Sequence, residues 1–361
     1  MGYYPSWNSM ILPPEQIDFT KFDWVDFAFV TLNQTSQLTF EDNSSSDILR
    51  RLVKSAHTSG KYAKVSIGGW DGSQYFSSAV ATPASRQTCV EEIVNMVNEF
   101  DLDGVDFDWE YPGLEGSSGN QVNPSDSENF LALIQLLRPA LPLGTKITAA
   151  VAQTPFAGRD GQPMSDVANF SQVLDWVMIM AYDVWQSSSD PGPNAPLYDG
   201  CSNSSQPEAS VASSVKQWTQ ANFPAKQISL GVPFYGYVSD SNATSLRSRA
   251  SSPSIRVVAD GGAAQGSIAF NYIVNQGALA ATSNGTYIGS HGFTRSWDQC
   301  SATPFLQSQT SRQIITYDDP ESLWMKGRFA KEMGLLGVSS WDLTGDTSTW
   351  NLTASLIAGC S

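Results

Sequence analysis

The stretch Leu102 to Pro112, LDGVDFDWEYP, constrains the chain more than any other. In a strand, side chains alternate between two faces. Asp106, Asp108 and Glu110 then share one face, and Val105, Phe107 and Trp109 share the other. The apolar face suits packing beneath helices, which turns the three acids toward the inside of a sheet or barrel. Inward carboxylates are costly unless they are hydrogen-bonded or partly protonated. Folds carry that cost most readily at functional sites. Glu110 comes last, just before the turn signal Pro112-Gly113, at the strand end where parallel α/β barrels keep their chemistry. A hand-type calcium loop needs a glycine at a fixed turn position and a longer ligand register, and the spacing D-x-x-D-x-D-x-E has neither. A solvated acidic edge would not interleave Phe and Trp so regularly.

The remaining chain alternates apolar runs with helical ones. Strands are expected at Gly2–Trp7, Trp24–Leu32, Lys61–Ile67, the acidic stretch, Lys146–Val151, Asp175–Ala181, Gln227–Tyr235 and Leu335–Trp341. Helices are expected at Asp47–Ser59 (capped by Asp47), Pro83–Phe100, Ser125–Pro139, Glu208–Asn222 and Pro320–Met333. Eight such alternations predict an α/β fold, a (β/α)8 barrel. Residues 237–313 break the rhythm, being far longer than an ordinary βα loop. They hold strand-like pieces at Ser254–Ala259 and Gly266–Tyr272, and the aromatics Phe270, Tyr272, Tyr287, Phe293 and Trp297. That content predicts a small folded α+β insertion. The expected domains are therefore a barrel from 1–236 with 314–361, and an inserted domain at 237–313.

Composition narrows the partners. The 361 residues hold 20 basic and 35 acidic side chains, a net charge of −15, with no basic run, so nucleic acid and anionic membrane are poor partners. No apolar stretch reaches the roughly 18 residues of a membrane helix. The start, MGYYP, reads straight into a strand, as expected of a mature domain carrying an added initiator Met. Sequons at Asn33, Asn43, Asn169, Asn203, Asn242, Asn284 and Asn351 point to a secreted, extracellular, eukaryotic protein. The four cysteines, Cys89, Cys201, Cys300 and Cys360, show no metal spacing, and two His make a His-based metal site improbable. No metal or cofactor is expected. At least one disulfide is, with Cys201 and Cys300 the first pair to consider because both lie in loop-like sequence; connectivity itself is not readable.

The segment from Asp103 to Pro112 resembles the active-site strand of glycoside hydrolase family 18, matching at all four acids and through the Trp-Glu-Tyr-Pro tail. The resemblance implies a fungal-type secreted chitinase, with the insertion after strand seven walling a substrate groove. It further implies a retaining, substrate-assisted cleavage of β-1,4-linked N-acetylglucosamine, an exception to the two-carboxylate scheme of most glycosidases. Glu110 is then the general acid and later the base. Asp108 orients the acetamido N–H and balances the positive charge that develops. Asp106 sits behind Asp108 and shares a proton with it, and the trio titrates as a coupled unit. Asp103 supports the strand. Met180-Ala181-Tyr182-Asp183 resembles the family's M-x-Y-D, in which the Tyr182 hydroxyl bonds the acetamido oxygen and Asp183 contacts a sugar hydroxyl. Trp341 resembles the family's terminal tryptophan, the floor beneath the sugar at the cleavage site. Ser66-Ile67-Gly68-Gly69-Trp70 resembles the S-x-G-G signature, with Ser66 in reach of Asp106 and Trp70 at a further sugar subsite. Tyr3, Phe29 and Tyr111 align with groove aromatics. The expected partners are chitin and chitooligosaccharides, the expected state a monomer. Two other readings share the acid strand: an endo-β-N-acetylglucosaminidase acting on the chitobiose core of N-glycans, and a chitin-binding lectin, which typically lacks the glutamate that is present here as Glu110.

Overall fold

The computed structural model describes residues 1–202, 204–241, 259, 266–283 and 285–361. Eight strands form a parallel barrel: β1 (Gly2–Pro5), β2 (Trp24–Leu32), β3 (Tyr62–Gly68), β4 (Gly104–Asp108), β5 (Lys146–Val151), β6 (Trp176–Met180), β7 (Ile228–Pro233) and β8 (Gly337–Trp341). They run in the order β1-β8-β7-β6-β5-β4-β3-β2, with a short strand Leu38–Phe40 outside β2, and β1 also pairs with β2 to close the ring. The fold is the expected (β/α)8 barrel. The chain packs as two compact units, residues 1–180 with 215–229 and residues 181–214 with 230–361.

In the first unit the parallel registers follow directly from the alternation in sequence. Asp106 of β4 lies level with Ser66 of β3 and Thr148 of β5. The apolar face of the acidic stretch goes under helices, as expected. Phe107 meets Phe130 of the helix Asp126–Leu137 edge-on at 5.3 Å, and Trp109 stacks on Phe76 at 4.9 Å. The strand ends at Asp108, so Glu110 stands beyond the ladder. The helix Pro83–Phe100 starts where Thr82 and Ser85 form a capping box around Pro83 and stops at Asp101, in the left-handed region at φ 55°. The helix expected from Asp47 begins instead at Ser45. Asp42 causes this: its Oδ1 accepts the N–H groups of Ser44 and Ser45 at 2.7 and 2.9 Å, leaving Asp47 in the first turn.

In the second unit, the run expected as one strand, Gln227–Tyr235, is interrupted. Phe234 bonds on two sides: its N–H bonds the Trp341 carbonyl at the end of β8 at 2.8 Å, and its carbonyl accepts from Phe270 N–H at 2.9 Å. Beyond it, Tyr235–Asp240 enters an antiparallel five-stranded sheet, in the order Ser267–Ala269, Tyr235–Asp240, Gln313–Thr316, Thr303–Ser308, Thr294–Asp298. A separate pair joins Leu279–Ala281 to Tyr287–Gly289. Gly266–Tyr272 is not one strand: it divides at Phe270, where the helix Phe270–Asn275 starts. All but the last residue of the expected strand-like piece Ser254–Ala259, and the sequons at Asn203, Asn242 and Asn284, lie outside the described residues. Cys201 and Cys300 form a disulfide, Cα to Cα 5.1 Å, the pair first considered. Cys89 and Cys360 form none.

Candidate active site

In the first unit, Asp106 is buried inside the barrel and saturated with hydroxyl donors. Its Oδ2 accepts from Tyr3 at 2.9 Å and Ser66 at 2.8 Å. Its Oδ1 accepts from Thr148 at 2.5 Å. Lys64, also fully buried, stands 3.9 Å from Asp106 Oδ1 and 3.2 Å from Asp26 Oδ1. Burial pushes the Asp26 carboxyl up, Lys64 pulls it down, and Asp106 adds to the rise.

Asp108, two residues on along the same face, is treated differently. It is buried, and its Oδ1 accepts no hydrogen bond among the described residues. Burial first, then the charges of Glu110 and Asp106, hold its carboxyl well above the usual carboxylate range. Asp106 and Asp108 thus share a face but not their surroundings: one is filled with hydroxyl donors, and the other leaves an oxygen unbonded among the described residues.

Glu110 is half-buried and placed by its backbone. Its N–H donates to Ser73 Oγ at 3.0 Å, its carbonyl accepts from Asn120 Nδ2 at 3.1 Å, and its bond to Tyr111 is cis. Ser73 Oγ also approaches the carbonyls of Gly69 and Asp108, at 2.8 and 3.2 Å. The β3 glycines allow this crossing. Gly68 has φ +114°, and a Cβ there would come 2.2 Å from the Asp108 carbonyl oxygen; one on Gly69 would come 2.6 Å from the Phe29 ring. Gly69 N–H bonds that same Asp108 carbonyl at 2.8 Å.

The unit thus brings Tyr3, Ser66, Asp106, Asp108 and Glu110 together at and inside one end of the barrel strands. Phe29 is half-buried beside Trp7, ring centroids 6.1 Å apart. Trp70 is 44% exposed, and Tyr111 is half-buried. Met180 is buried at the end of β6. Asp103 serves the other end of its strand, accepting from Ala63 N–H at 2.8 Å and meeting His57 Nε2 at 2.9 Å.

In the second unit, Tyr182 and Asp183 meet two tyrosines that the sequence reading did not single out. Asp183 Oδ1 accepts the hydroxyls of Tyr235 and Tyr237, the latter at 2.7 Å. Asn194 fixes the loop: its Oδ1 accepts Asp183 N–H at 2.9 Å and its Nδ2 donates to the Tyr235 carbonyl at 3.1 Å. Asp183 keeps accessible surface, yet the protein packed around it raises its carboxyl, and the two hydroxyls pull it back. Tyr182 is buried and meets the Tyr235 ring edge-on at 6.2 Å. Trp341 is half-buried, held through its carbonyl by Phe234. The signal for the added tyrosines was present: Tyr235-Gly236-Tyr237 puts two hydroxyls on one face of a strand.

Residues 1–346 match the glycosyl hydrolases family 18. A chitinase-like effector of Moniliophthora roreri is 34% identical over 369 residues, covering 96% of this chain and 89% of that protein. Chitinase A1 of Niallia circulans is 32% identical over 298 residues, 78% of this chain and 40% of its own. A solved chitinase from Rhizomucor miehei superposes with a TM-score of 0.84 at 31% identity, covering 100% of this chain and 99% of that one. The chain belongs to glycosyl hydrolase family 18.

Proposed function

From that membership we propose that the protein is a secreted chitinase, cleaving β-1,4 linkages of chitin and chitooligosaccharides with retention. Glu110 donates its proton to the glycosidic oxygen as the bond from that oxygen to C1 breaks. The substrate's acetamido oxygen forms the new bond to C1, giving an oxazolinium ion. Glu110 then takes a proton from water, which attacks C1 and reopens the ring. Asp108 accepts from the acetamido N–H and steadies the developing positive charge. Tyr182 bonds the acetamido oxygen, Asp183 a sugar hydroxyl, and Trp341 underlies the sugar ring. Trp70, Tyr111 and Phe29 serve neighbouring subsites.

The observation that carries this reading is the unlike pair on one strand face: Asp106 with three hydroxyl donors, and Asp108 with a raised carboxyl and an unbonded Oδ1. An acid already filled with donors beside one with an unbonded oxygen leaves Asp108 free to receive the acetamido N–H. The test is an early product time course on oligomers of four to six sugars. β-Anomeric products from the wild type, and a loss of several orders of magnitude in turnover with binding retained in Glu110→Gln, support it. Near-normal turnover in Glu110→Gln removes Glu110 from its role. Release of intact glycans from a glycoprotein, with no action on oligomers, moves the activity to the chitobiose core.

A second reading is chitin binding without hydrolysis. The Moniliophthora relative is named a chitinase-like effector, not a chitinase, which keeps this reading open to test. Oligomer binding without products from the wild type would establish it.

A further inference from the structure

The loop that follows Glu110 turns back over it. Residues 113–123 leave the end of β4 and return to the helix Asp126–Leu137, and one buried carboxylate pins both ends. Asp126 Oδ2 accepts Gly113 N–H at 3.3 Å and Asn123 N–H at 2.8 Å. Its Oδ1 accepts from Ser77 at 2.7 Å. Ser77 belongs to the helix Phe76–Ala81, so the loop is tied at its root to the chain that follows β3. The middle of the loop lies along the same stretch. Ser117 Oγ donates to Asp71 Oδ1 at 2.6 Å, Gln121 N–H to the Gln74 carbonyl at 3.1 Å, and Ser78 N–H to Gln121 Oε1 at 3.2 Å.

Asn120 stands at the centre of this arrangement. A side-chain amide carries two donors on one nitrogen. Asn120 uses them on the main-chain carbonyls of two separate stretches: Nδ2 donates to Trp70 at 3.2 Å and to Glu110 at 3.1 Å. The two hydrogens leave that nitrogen in fixed directions, so the carbonyls are held at a set spacing. Gly116 lets the loop come this close. A Cβ there would stand 1.9 Å from the Glu110 carbonyl oxygen and 3.2 Å from Asn120 Nδ2. Trp70 is 44% exposed. An exposed indole binds a sugar face well only when its backbone is already in place, since ordering it on binding would cost affinity. We propose that Asn120 is a positioning residue that sets the reach between Glu110 and the Trp70 ring, and so gives the enzyme its preference for oligomers long enough to span both. The proposal rests on the chitinase reading, which supplies the acid and the sugar.

The test is the ratio of kcat/KM on a six-sugar oligomer to that on a three-sugar one. Trp70→Ala should lower the ratio. Asn120→Ala should lower it by about fivefold, the equivalent of one net hydrogen bond. In the Trp70→Ala background, Asn120→Ala should leave the ratio where Trp70→Ala alone put it, because the two act as one unit. Gln121→Ala frees Ser78 N–H and touches neither carbonyl; it should lower Tm and leave the ratio at its wild-type value. Asn120→Ser, which keeps a hydroxyl in the loop, stands in if Asn120→Ala does not fold, and should move the ratio the same way. An equal fall on both oligomers with the ratio unmoved, or a ratio loss that simply adds to that of Trp70→Ala, would mean that Asn120 supports the fold alone. A wild type that binds oligomers without cleaving them overturns the chitinase reading only. The six-sugar to three-sugar ratio of association constants, from calorimetry on the same variants, then carries the test, with the same fall expected. A wild type that binds six sugars no more tightly than three puts Trp70 outside the bound chain and overturns the proposal.

Discussion

Ser73 holds Glu110 by its main chain: the Glu110 N–H donates to Ser73 Oγ at 3.0 Å, while the same hydroxyl approaches the Gly69 and Asp108 carbonyls. One buried serine thus ties the loop after β3 to both ends of the segment Asp108–Glu110. Ser73→Ala should lower stability by about 1–3 kcal/mol, because it strands an N–H and weakens the bonding of two carbonyls. Turnover should fall by more than KM rises, since Glu110 loses its placement rather than its chemistry. Denaturant unfolding and steady-state kinetics on an oligomer check both; unchanged kcat in a destabilised variant would confine Ser73 to the fold.

Asp108 carries a pH signature. Its carboxyl is raised in the folded protein by burial and by two neighbouring acids. The folded state therefore binds a proton that the unfolded chain has released, and stability is lost as pH rises from the ordinary carboxylate range toward the folded value. Asp108→Asn removes that loss. The variant should be more stable than the wild type at pH 8 and gain less at pH 4, the difference growing by about 1.4 kcal/mol per pH unit inside that window. Its hydrolysis should fall sharply. Parallel melting curves at the two pH values decide it.

Asp183 should show non-additive behaviour. Tyr235→Phe and Tyr237→Phe each remove one hydroxyl from Oδ1, and each should cost about 1.5–3 kcal/mol. Once both are gone, the carboxyl is raised further and takes a proton, which relieves the stranded charge. The double variant should therefore cost less than the two single losses added together. Additive losses would mean that the tyrosines act by packing alone.

The Cys201–Cys300 disulfide closes a loop of separation 99. Cys201→Ser should lower stability by about 2–4 kcal/mol, chiefly through the unfolded chain. Reductant should then destabilise the wild type and leave Cys201→Ser unaffected, which melting with and without reductant reveals.

Much of this was legible in sequence where causes are local. The alternation of acids with Val, Phe and Trp placed β4 and its two faces. The helix expected from Pro83 starts at that residue, because a proline at the first helical position acts within one turn. The partners of Asp183 were harder. Tyr237 lies far along the chain from it, and only the turn at Phe234 carries Tyr235–Asp240 out of the barrel and into a second sheet. Lys64 was passed over inside an apolar strand. Its neighbours Asp26, Gly104 and Thr148 come from three other strands, and a register between strands is not written in any one of them. Ser73 belongs to no motif in the sequence, although it is wholly buried.

Asp106 takes its three hydroxyls from β1, β3 and β5, so its bonds measure the girth of the barrel. The strands between them, β2 and β4, cannot spread without lengthening one of these bonds, and a short hydroxyl bond to a carboxylate weakens quickly with distance. A change far from the acids that swelled this half of the ring would be felt first as a stretched hydroxyl bond at this one carboxylate. The residue is a gauge as well as a support: the width of this half of the scaffold is read in the lengths of its hydroxyl bonds.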